Sequence, residues 1–274
     1  MIKIISCNIA QREKAWRSVL ASDADMALLQ EARKPPADIA DNIKVDSAPW
    51  YTTSERFRCP WRTAVVGLSG PFELEWFEPK SIDVAHSGEF AVSRQGTLAA
   101  ATVTPPSGES FIVVSLYASW ERPHSATGSS WIYADASVHR LISDLSVFIG
   151  RQKGHSILAA GDLNILHGHG EGGSAYWAAR YGTVFSRMEA LGLRFVGPQA
   201  PNGHQADPWP DELPRTSKNV PTYHSVKQTS KTATRQLDFV FASDGFAEQV
   251  HTRALNDPDS WGPSDHCCVE IEIV

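Results

Sequence analysis

Residues 155–166 read HSILAAGDLNIL, and in this stretch an apolar run ends directly in two polar side chains, Asp162 and Asn164. The run is short, apolar and bounded by polar residues, which is typical of a buried β-strand. The simplest interpretation of the polar pair is a turn, because Asp and Asn side chains hydrogen-bond the backbone that follows them. A second interpretation, a functional site at the end of the strand, depends on what the other strands carry.

Seven other segments have the length and the apolar, β-branched composition of strands. They are IKIISCNI (2–9), DMALLQ (25–30), TAVVGLS (63–69), TLAAATVT (97–104), FIVVSLY (111–117), LDFVFAS (237–243) and CCVEIEIV (267–274). Apolar residues at helical spacing predict helices at 129–150 and 175–192, with Trp131 and Trp177 as core residues. Many neighbouring strands have no helix between them. We therefore predict one domain, residues 1–274, in which two sheets pack face to face with helices outside.

The composition is that of a soluble globular protein, with 42% hydrophobic residues, 20% charged residues and a formal net charge of -6. A chain of 274 residues can bury a core without help from disulfides or a structural metal. The net charge is unfavourable for coating nucleic acid over the whole surface, but it allows a local basic groove. The N-terminal residues lack a signal-peptide core and no apolar run reaches membrane-spanning length, so we expect a soluble, cytoplasmic monomer.

The four cysteines are Cys7, Cys59, Cys267 and Cys268, and none of them forms a C-x-x-C pair. All except Cys59 lie in apolar, strand-like runs. Free cysteine is among the most buried residue types. We therefore predict buried thiols rather than zinc ligands or disulfides.

Polar residues stand at the ends of most predicted strands, or inside one of them. They are Asn8, Glu31, Tyr117, Asp162, Asn164, Asp238, Asp265 and His266. The asparagines and Asp162 could be turn or cap residues, but Glu31 is a poor turn residue. Asp238 lies inside a strand, where an aspartate is costly unless it has a partner, and His266 is a candidate partner. A shared cleft explains the whole set better than separate turns do.

The residue types in this set are suited to metal-assisted hydrolysis of a phosphate ester. Glu31 and Asp265 offer the hard oxygen ligands that Mg²⁺ or Mn²⁺ prefers. Asp162 is a carboxylate that can orient and deprotonate a water molecule, and Asn164 can hold that water or a phosphate oxygen without adding charge. A histidine held by Asp238 favours the imidazolium form, which suits the negative charge that develops in phosphoryl transfer.

Five motifs, in this order, resemble those of the endonuclease/exonuclease/phosphatase superfamily, whose members share the DNase I-like fold. They are SCNIA around Asn8, LLQEAR around Glu31, GDLN at 161–164, QLDFVF around Asp238 and SDH at 264–266. Together they span nearly the whole chain. The resemblance implies an α/β fold, a four-layer sandwich of two mixed, mainly antiparallel sheets with helices outside. It also implies a hydrolase that depends on Mg²⁺ or Mn²⁺.

The resemblance implies a metal side of the site. Glu31 resembles the principal metal ligand, with Asn8 beside it, and Asp265 resembles a further carboxylate on that side. Tyr117, in VVSLYASW, is similar to a tyrosine with which exonuclease III-type members contact phosphate.

The same resemblance implies a catalytic side. Asp162 resembles the residue that activates the nucleophilic water, and Asn164 resembles its positioning partner. His266 resembles a histidine that stabilises the phosphate, and Asp238 resembles the carboxylate that supports this histidine.

Residues 215–235, RTSKNVPTYHSVKQTSKTATR, contain no acidic residue, although the protein is net acidic. The basic residues of this segment are Arg215, Lys218, Lys227, Lys231 and Arg235. The segment leads directly into the strand that contains Asp238, so we expect it to border the cleft as a groove for a phosphate backbone. The alternative is a solvated loop with ordinary surface lysines. A second edge of the groove could be formed by Arg56, Arg58 and Arg62.

Trp61, Trp120 and Trp209 lie in polar, proline-bearing segments, where they could stack on bases or pack beneath loops. The segment HGHGEGG, residues 167–173, contains two histidines but follows GDLN directly and is rich in glycine. We interpret it as a substrate loop rather than a metal site.

Three functions remain open at this point. The first is a magnesium-dependent phosphodiesterase, an endo- or exonuclease that acts on DNA or RNA. The second is a phosphatase or phosphodiesterase that acts on a small phosphorylated molecule, such as a nucleotide, a phosphoinositide or a lipid headgroup. The third is a non-catalytic binding module of the same fold, which the intact polar set makes the weakest of the three.

Overall fold

The computed structural model describes residues 1–53, 58–149 and 156–274. Its strands are β1 (Ile2–Asn8), β2 (Met26–Ala32), β3 (Lys44–Val45), β4 (Thr52–Thr53), β5 (Arg58–Cys59), β6 (Arg62–Gly67), β7 (Glu73–Trp76), β8 (Lys80–Ser81), β9 (Ala91–Val92), β10 (Leu98–Thr104), β11 (Phe111–Tyr117), β12 (Ile157–Asp162), β13 (Leu193–Gly197), β14 (Asp238–Ser243), β15 (Val250–Ala254) and β16 (Val269–Ile273). Its α-helices are α1 (Glu13–Leu20), α2 (Ala37–Ala40), α3 (Ala134–Ile149), α4 (Ala175–Ala190) and α5 (Asp244–Ala247). Within those ranges, no helix has the length and apolar character that a membrane crossing requires.

Two six-stranded sheets form the centre of the molecule. Their strand orders are β15-β16-β1-β2-β6-β3 and β13-β14-β12-β11-β10-β7. In each sheet one pair of neighbours is parallel, β1 with β2 and β11 with β12, and the chain between the partners contains α1 or α3. A parallel pair needs such a crossover connection, whereas the other neighbours are antiparallel. Both sheets are therefore mixed and mainly antiparallel, as predicted.

The sheets pack face to face, and their inner faces form one apolar layer that includes Leu28 and Leu158. The outer face of the first sheet packs against α1 and α2, with Trp16 fully inside this contact. The outer face of the second sheet packs against α3 and α4 through residues such as Leu141 and Val184. The order helix, sheet, sheet, helix confirms the predicted four-layer α/β sandwich.

The inner layer changes from apolar to polar towards one end of the strands. Side chains alternate between the two faces of a strand, so residues two positions apart share a face. By this rule four polar residues lie on the inner face together with apolar residues of their own strands. Asn8 shares this face with Ile4, Tyr117 with Val113, Asp162 with Ala160, and Asp238 with Val240. Asn8, Tyr117 and Asp162 are the last residues of β1, β11 and β12, and Asp238 is the first of antiparallel β14. The polar residues therefore gather at one end of the sandwich.

Helix α3 begins at Ala134 rather than at residue 129, and this corrects the prediction for Trp131. Tyr133 forms an isolated β-bridge with Glu121, and its N–H donates to the Glu121 carbonyl oxygen at 2.8 Å. That bridge keeps the residues before Ala134 out of the helix. Trp131 is consequently 58% exposed instead of lying in the core, while Trp177 in α4 is half-buried.

The prediction of buried thiols is wrong for two cysteines, because Cys7 and Cys268 form a disulfide. The register of β1 and β16 pairs Ser6 with Val269, so the next residues along the two antiparallel chains stand opposite each other, with Cα atoms 4.5 Å apart. Cys267 is a buried free thiol, as predicted. The side chain of Cys59 lies outside the described part of the structure.

Candidate active site

A cleft of about 1100 Å³ opens at the polar end of the inner layer. The predicted catalytic and metal-side residues that line it are Glu31, Tyr117, Asp162, Asn164, Asp265 and His266. Asn8 and Asp238 are buried directly behind this surface, where they hydrogen-bond Asp162 and His266. Residues from both sheets and from both ends of the chain therefore meet at one place.

Strand register places three of these residues side by side. The parallel strands β11 and β12 pair Tyr117 with Asp162, and antiparallel β14 pairs Asp238 with the same Asp162. Residues directly opposite each other on one face of a sheet lie within side-chain contact. Asp162 is thus the centre of a polar row that crosses the second sheet.

The GDLN segment fixes the position of Asp162. Gly161 has φ 153°, and a β-carbon there would lie 1.9 Å from a backbone carbonyl oxygen of β11, so only glycine allows this approach. Oδ1 of Asp162 accepts from the backbone N–H of Asn164 at 2.9 Å. Its Oδ2 accepts from the side-chain amides of Asn8 at 3.0 Å and Asn164 at 3.1 Å. The polar pair is therefore a turn and also part of the cleft.

Glu31 enters the cleft from a β-bulge in the first sheet. The pairing of β2 with β6 shifts register between Leu29 and Ala32, and Glu31 has a φ of 49°. A bulge of this kind re-aims a side chain, and strained non-glycine backbone is common at functional sites. The carboxylate accepts from the side-chain amides of Asn8 at 3.4 Å and Gln11 at 3.3 Å.

His266 is held between two buried carboxylates. Its Nδ1 lies 2.8 Å from Oδ2 of Asp238, and its Nε2 lies 3.7 Å from Oδ2 of Asp162. Burial alone lowers the pKa of His266, but the carboxylates of Asp238 and Asp162 outweigh it and raise the pKa to about 10. The ring is therefore an imidazolium at neutral pH.

Asp162 and Tyr117, next to His266 in the cleft, also have shifted pKa values. Burial raises the pKa of Asp162, and this effect is larger than that of the nearby His266 imidazolium, which lowers it. Burial and the nearby carboxylates of Glu31 and Asp162 raise the pKa of Tyr117, so its phenol stays protonated. The Tyr117 ring packs edge-to-face on Trp61, with centroids 4.8 Å apart. The cleft thus contains a proton acceptor and a protonated hydroxyl donor next to the imidazolium.

Two groups of side chains could hold a metal ion. The possible ligand atoms of Asp162, Asp238 and His266 lie within 4.8 Å of one another. A ligating histidine must be neutral, however, and the contact of Nδ1 with Asp238 and the raised pKa of His266 favour its protonated form. Glu31 and Asp265 are oxygen donors at the cleft surface, which is the ligand type of Mg²⁺ and Mn²⁺. Glu31 accepts long hydrogen bonds from two amides, and its oxygens are of the hard type that a divalent cation takes.

The amide of Asn8, which was predicted on the metal side, makes contacts with both its oxygen and its nitrogen. Its Oδ1 accepts from the backbone N–H of Ala10 at 2.9 Å, and this contact fixes the orientation of the amide. Asn8 therefore presents its nitrogen, and not its oxygen, to Glu31 and Asp162. In this arrangement it orients the two carboxylates.

Three residues at the site were missed in the sequence. Ser264 donates to the carbonyl oxygen of Asn8 at 2.7 Å and accepts from the backbone N–H of His266 at 3.2 Å, so it joins the two ends of the chain. Its place in the SDH motif was an available signal. Gln11, at φ 61°, contacts Glu31, and Arg12 lies 4.0 Å from Asp265. Nothing in the sequence around Gln11 and Arg12 indicates these contacts.

The basic segment borders the cleft only in part. Of its five cations, Lys227 and Arg235 line the cleft, and Arg235 is paired with Glu171 through contacts of 2.7 and 3.1 Å. The other three are exposed and lie outside the cleft lining within the described chain: Arg215, Lys218 and Lys231. The cleft lining also includes the carboxylate of Glu212. For those three residues the solvated-loop interpretation is the better one.

The proposed second basic edge is not supported by Arg62. This side chain is buried, pairs with Asp46 at 2.8 Å and lies over the Trp50 ring at 4.3 Å. Its positive charge is therefore paired within the protein. Arg56 lies outside the described residues, as does the side chain of Arg58.

The aromatic and histidine-containing segments have different positions. Trp120 lines the cleft and is 52% exposed, whereas Trp209 donates from its Nε1 to a nearby backbone carbonyl at 2.9 Å and is half-buried. His167 packs among aromatic rings with its Nδ1 3.2 Å from Asn219, and His169 is buried. Both histidines therefore make local contacts within the protein.

The sequence and the fold are similar to those of known proteins. The family model described as the Endonuclease/Exonuclease/phosphatase family matches residues 6–266. No curated protein sequence matches the chain significantly. Similar solved structures include the endonuclease domain of TRAS1, a telomere-specific non-LTR retrotransposon, with TM-score 0.60 and 14% identity over 100% of this chain and 98% of that one.

Two structures of AP endonucleases are also similar. LMAP from Leishmania major has TM-score 0.61 and 15% identity over 99% of this chain and 87% of that one. The enzyme from Archaeoglobus fulgidus has TM-score 0.60 and 16% identity over 100% and 99% of the two chains. At these identities the similarity shows a common fold.

Proposed function

Because the chain belongs to the endonuclease/exonuclease/phosphatase family, we propose that it is a divalent-metal-dependent phosphodiesterase that hydrolyses nucleic acid. The observation that carries this proposal is the single cleft lined by Glu31, Asp162, Asp265 and His266. Metal-binding carboxylates, a proton acceptor and a protonated donor are the groups that phosphodiester hydrolysis needs in one place.

Asp162 is the general base in this proposal. Its pKa is raised by burial, which makes the carboxylate a better proton acceptor at neutral pH. The amides of Asn8 and Asn164 donate to it and hold it in one orientation. A water molecule between Asp162 and the phosphorus atom would lose its proton to this carboxylate as it attacks.

His266 and Tyr117 stabilise the phosphate. The Nδ1 of His266 is occupied by Asp238, which leaves the Nε2 proton for a phosphate oxygen in the cleft. Tyr117 keeps its phenolic proton and can donate it in a hydrogen bond to a second oxygen. Donors fixed before the reaction stabilise developing negative charge without reorganisation.

Glu31 and Asp265 would hold Mg²⁺ or Mn²⁺. A divalent cation at this place supplies charge neutralisation for the phosphate oxygens. The β-bulge in β2 directs the Glu31 side chain into the cleft, and the amides of Asn8 and Gln11 orient its carboxylate.

A second candidate is hydrolysis of a small phosphorylated molecule. It is favoured by the charges in the cleft, because Glu171 and Glu212 are part of the lining and the charge of Arg235 is paired. A long polyanion would be repelled by these carboxylates, whereas a substrate with one phosphate would not need to pass them.

The deciding experiment is a cleavage panel. The purified protein is incubated with supercoiled plasmid, single-stranded DNA, RNA, a duplex with an abasic site, and small phosphate esters, each with Mg²⁺, Mn²⁺ or EDTA. Cleavage of a polymer that disappears with EDTA and with Asp162→Asn supports the nuclease. Release of phosphate from small esters alone supports the second candidate. Absence of all turnover, with metal binding retained, would overturn both in favour of a binding module.

A further inference from the structure

One side of the cleft is aromatic. Trp120, Trp131, Trp177 and Tyr181 belong to its lining. The rings of Trp131 and Trp177 lie 5.8 Å apart, and those of Trp177 and Tyr181 lie 5.9 Å apart. Trp120 and Trp131 are more than half exposed, although tryptophan is highly buried on average. These four side chains are here called the aromatic side; ring contacts join three of them, and Trp120 and Trp131 face solvent, whereas Tyr181 is buried.

The aromatic side is held in place by Arg180. The guanidinium of Arg180 lies 5.4 Å from the Trp177 ring and donates to the hydroxyl of Tyr176 at 3.1 Å. It also donates twice to the buried carboxylate of Asp135, at 2.8 and 2.6 Å. Trp177, which lines the cleft, therefore lies next to a side chain that is itself anchored by Asp135 and Tyr176. A surface fixed in advance loses little conformational entropy when a ligand binds.

The charges near the aromatic side are unfavourable for a phosphate backbone and favourable for bases. Glu171 and Glu212 line the same cleft, and Glu171 neutralises Arg235. Carboxylates repel phosphates but accept hydrogen bonds from amino groups, such as those of adenine, cytosine and guanine. Planar rings with amino groups at their edges match this combination of stacking surface and acceptors.

The aromatic side and the catalytic residues belong to one cleft, so a single ligand can contact both. Trp120 is three residues after Tyr117, and a nucleotide with its phosphate at His266 would carry its base into the same cleft. In a duplex the faces of the bases are covered by their neighbours, whereas in a single strand they are available for stacking on aromatic rings.

From these observations we infer that the aromatic side is a stacking subsite for unpaired nucleobases of a single-stranded nucleic acid. The inference rests on the proposed function and names its substrate class. The phosphate is held at the catalytic residues, and the neighbouring bases stack on Trp131 and Trp120. Discrimination against duplexes follows, because a paired base cannot offer its face.

The test compares two oligonucleotides of equal length and equal backbone charge. One is single-stranded DNA, and the other is the same sugar–phosphate chain built from abasic residues. Binding to the Asp162→Asn protein in EDTA is measured by fluorescence anisotropy, so turnover does not interfere. We expect the chain with bases to bind at least about fivefold more tightly than the abasic chain. In the same background, Trp131→Ala should remove most of this difference, and Trp131→Phe should retain it.

Tyr51→Ala is the matched control, because Tyr51 is an equally exposed aromatic residue that lines a different cavity. It should leave the affinity ratio unchanged. Equal binding of the two chains, or an equal effect of Trp131→Ala on both, would overturn the inference, as would a duplex that binds as tightly as the single strand. Failure of the proposed function is seen separately, as absence of cleavage by the unmodified protein with metal.

Discussion

The two sides of the cleft are built on different principles. The polar side consists of strand ends, where Asn8, Tyr117 and Asp162 continue the inner rows of buried strands. The aromatic side consists of a connection before α3 and the first turns of α4, which contribute Trp131 and Trp177. The position of the polar side is set by sheet register, whereas that of the aromatic side is set by a buried ion pair and ring contacts.

This difference decides what each side can do. Strand register holds donors and acceptors at fixed distances, which is what proton transfer requires. Stacking tolerates more variation in geometry and accepts any base. Changes on the polar side should therefore alter the rate of the chemical step, and changes on the aromatic side should alter affinity and substrate choice.

The largest expected effect is on the polar side. Asp162→Asn removes the proton acceptor but keeps the size of the side chain, so we expect cleavage to fall by about 10²- to 10⁴-fold. Affinity for single-stranded DNA in EDTA should not fall, because the change removes a negative charge next to the phosphate. Rates are measured with the best substrate of the cleavage panel. Glu248→Gln, an exposed carboxylate beyond the far end of β14, is the control. Retention of more than a tenth of the activity would contradict the role of Asp162.

A large effect on stability is expected on the aromatic side. Arg180→Met leaves the buried Asp135 without its cation, which should lower the free energy of unfolding by about 3 kcal/mol. Trp177 also loses the guanidinium behind it. Urea denaturation measures the change, and adding Asp135→Asn should restore part of the loss because the unpaired charge is gone. If the double variant is no more stable than Arg180→Met, the ion pair is not what holds this side in place.

A smaller effect is expected for the metal ligand. Glu31→Gln replaces a charged oxygen ligand by an amide, so the Mg²⁺ concentration for half-maximal cleavage should rise by at least about tenfold. The maximal rate should recover in part at high Mg²⁺, and calorimetry of Mg²⁺ binding without substrate should show the same loss. Asp238→Asn serves as the contrast, because it should reduce the rate without changing metal affinity. An unchanged Mg²⁺ requirement in Glu31→Gln would place the metal elsewhere.

The smallest expected effect concerns pH. In the metal-free protein the pKa of His266 is raised from its ordinary 6.5 to about 10. A raised pKa in the folded state stabilises the fold fully below pH 6.5, and this contribution is lost as the pH rises towards about 10. NMR titration of the imidazole in EDTA should show no deprotonation between about pH 6 and 8. Asp238→Asn should bring the pKa down towards its ordinary value, and a transition near neutrality in the unmodified protein would refute the charge assignment.

Much of the fold could be predicted because its signals are local. All eight segments predicted as strands contain one, and the strand-end residues such as Glu31 and Asp162 do converge on one cleft. Burying a polar or charged side chain at a strand end costs free energy unless the group has a partner, so these residue types are easy to notice in a sequence. Trp131 was wrongly assigned to a helix because the helical spacing of apolar residues extends back to it, whereas the β-bridge of Tyr133 keeps the residues before α3 out of the helix.

Other features depend on contacts between distant parts of the chain. The disulfide requires that β1 and β16 be neighbours in a specific register, which no local pattern reveals. The charge of the basic segment was visible, but the pairing of Arg235 with Glu171 was not, because these two residues meet only in the folded state. The contacts of Gln11 and Arg12 with the site likewise join parts of the chain that are distant in sequence.

The bond between Cys7 and Cys268 turns most of the polypeptide into a closed ring, with 261 residues of sequence separation between its two ends. A protease that cuts a single exposed loop within this ring opens it without producing a separate fragment. A gel run without reductant should therefore show one band of unchanged mass, and a gel run with reductant should show two. Such a nicked molecule would still keep Asn8 and His266 tethered to each other, since each lies within two residues of the bridge.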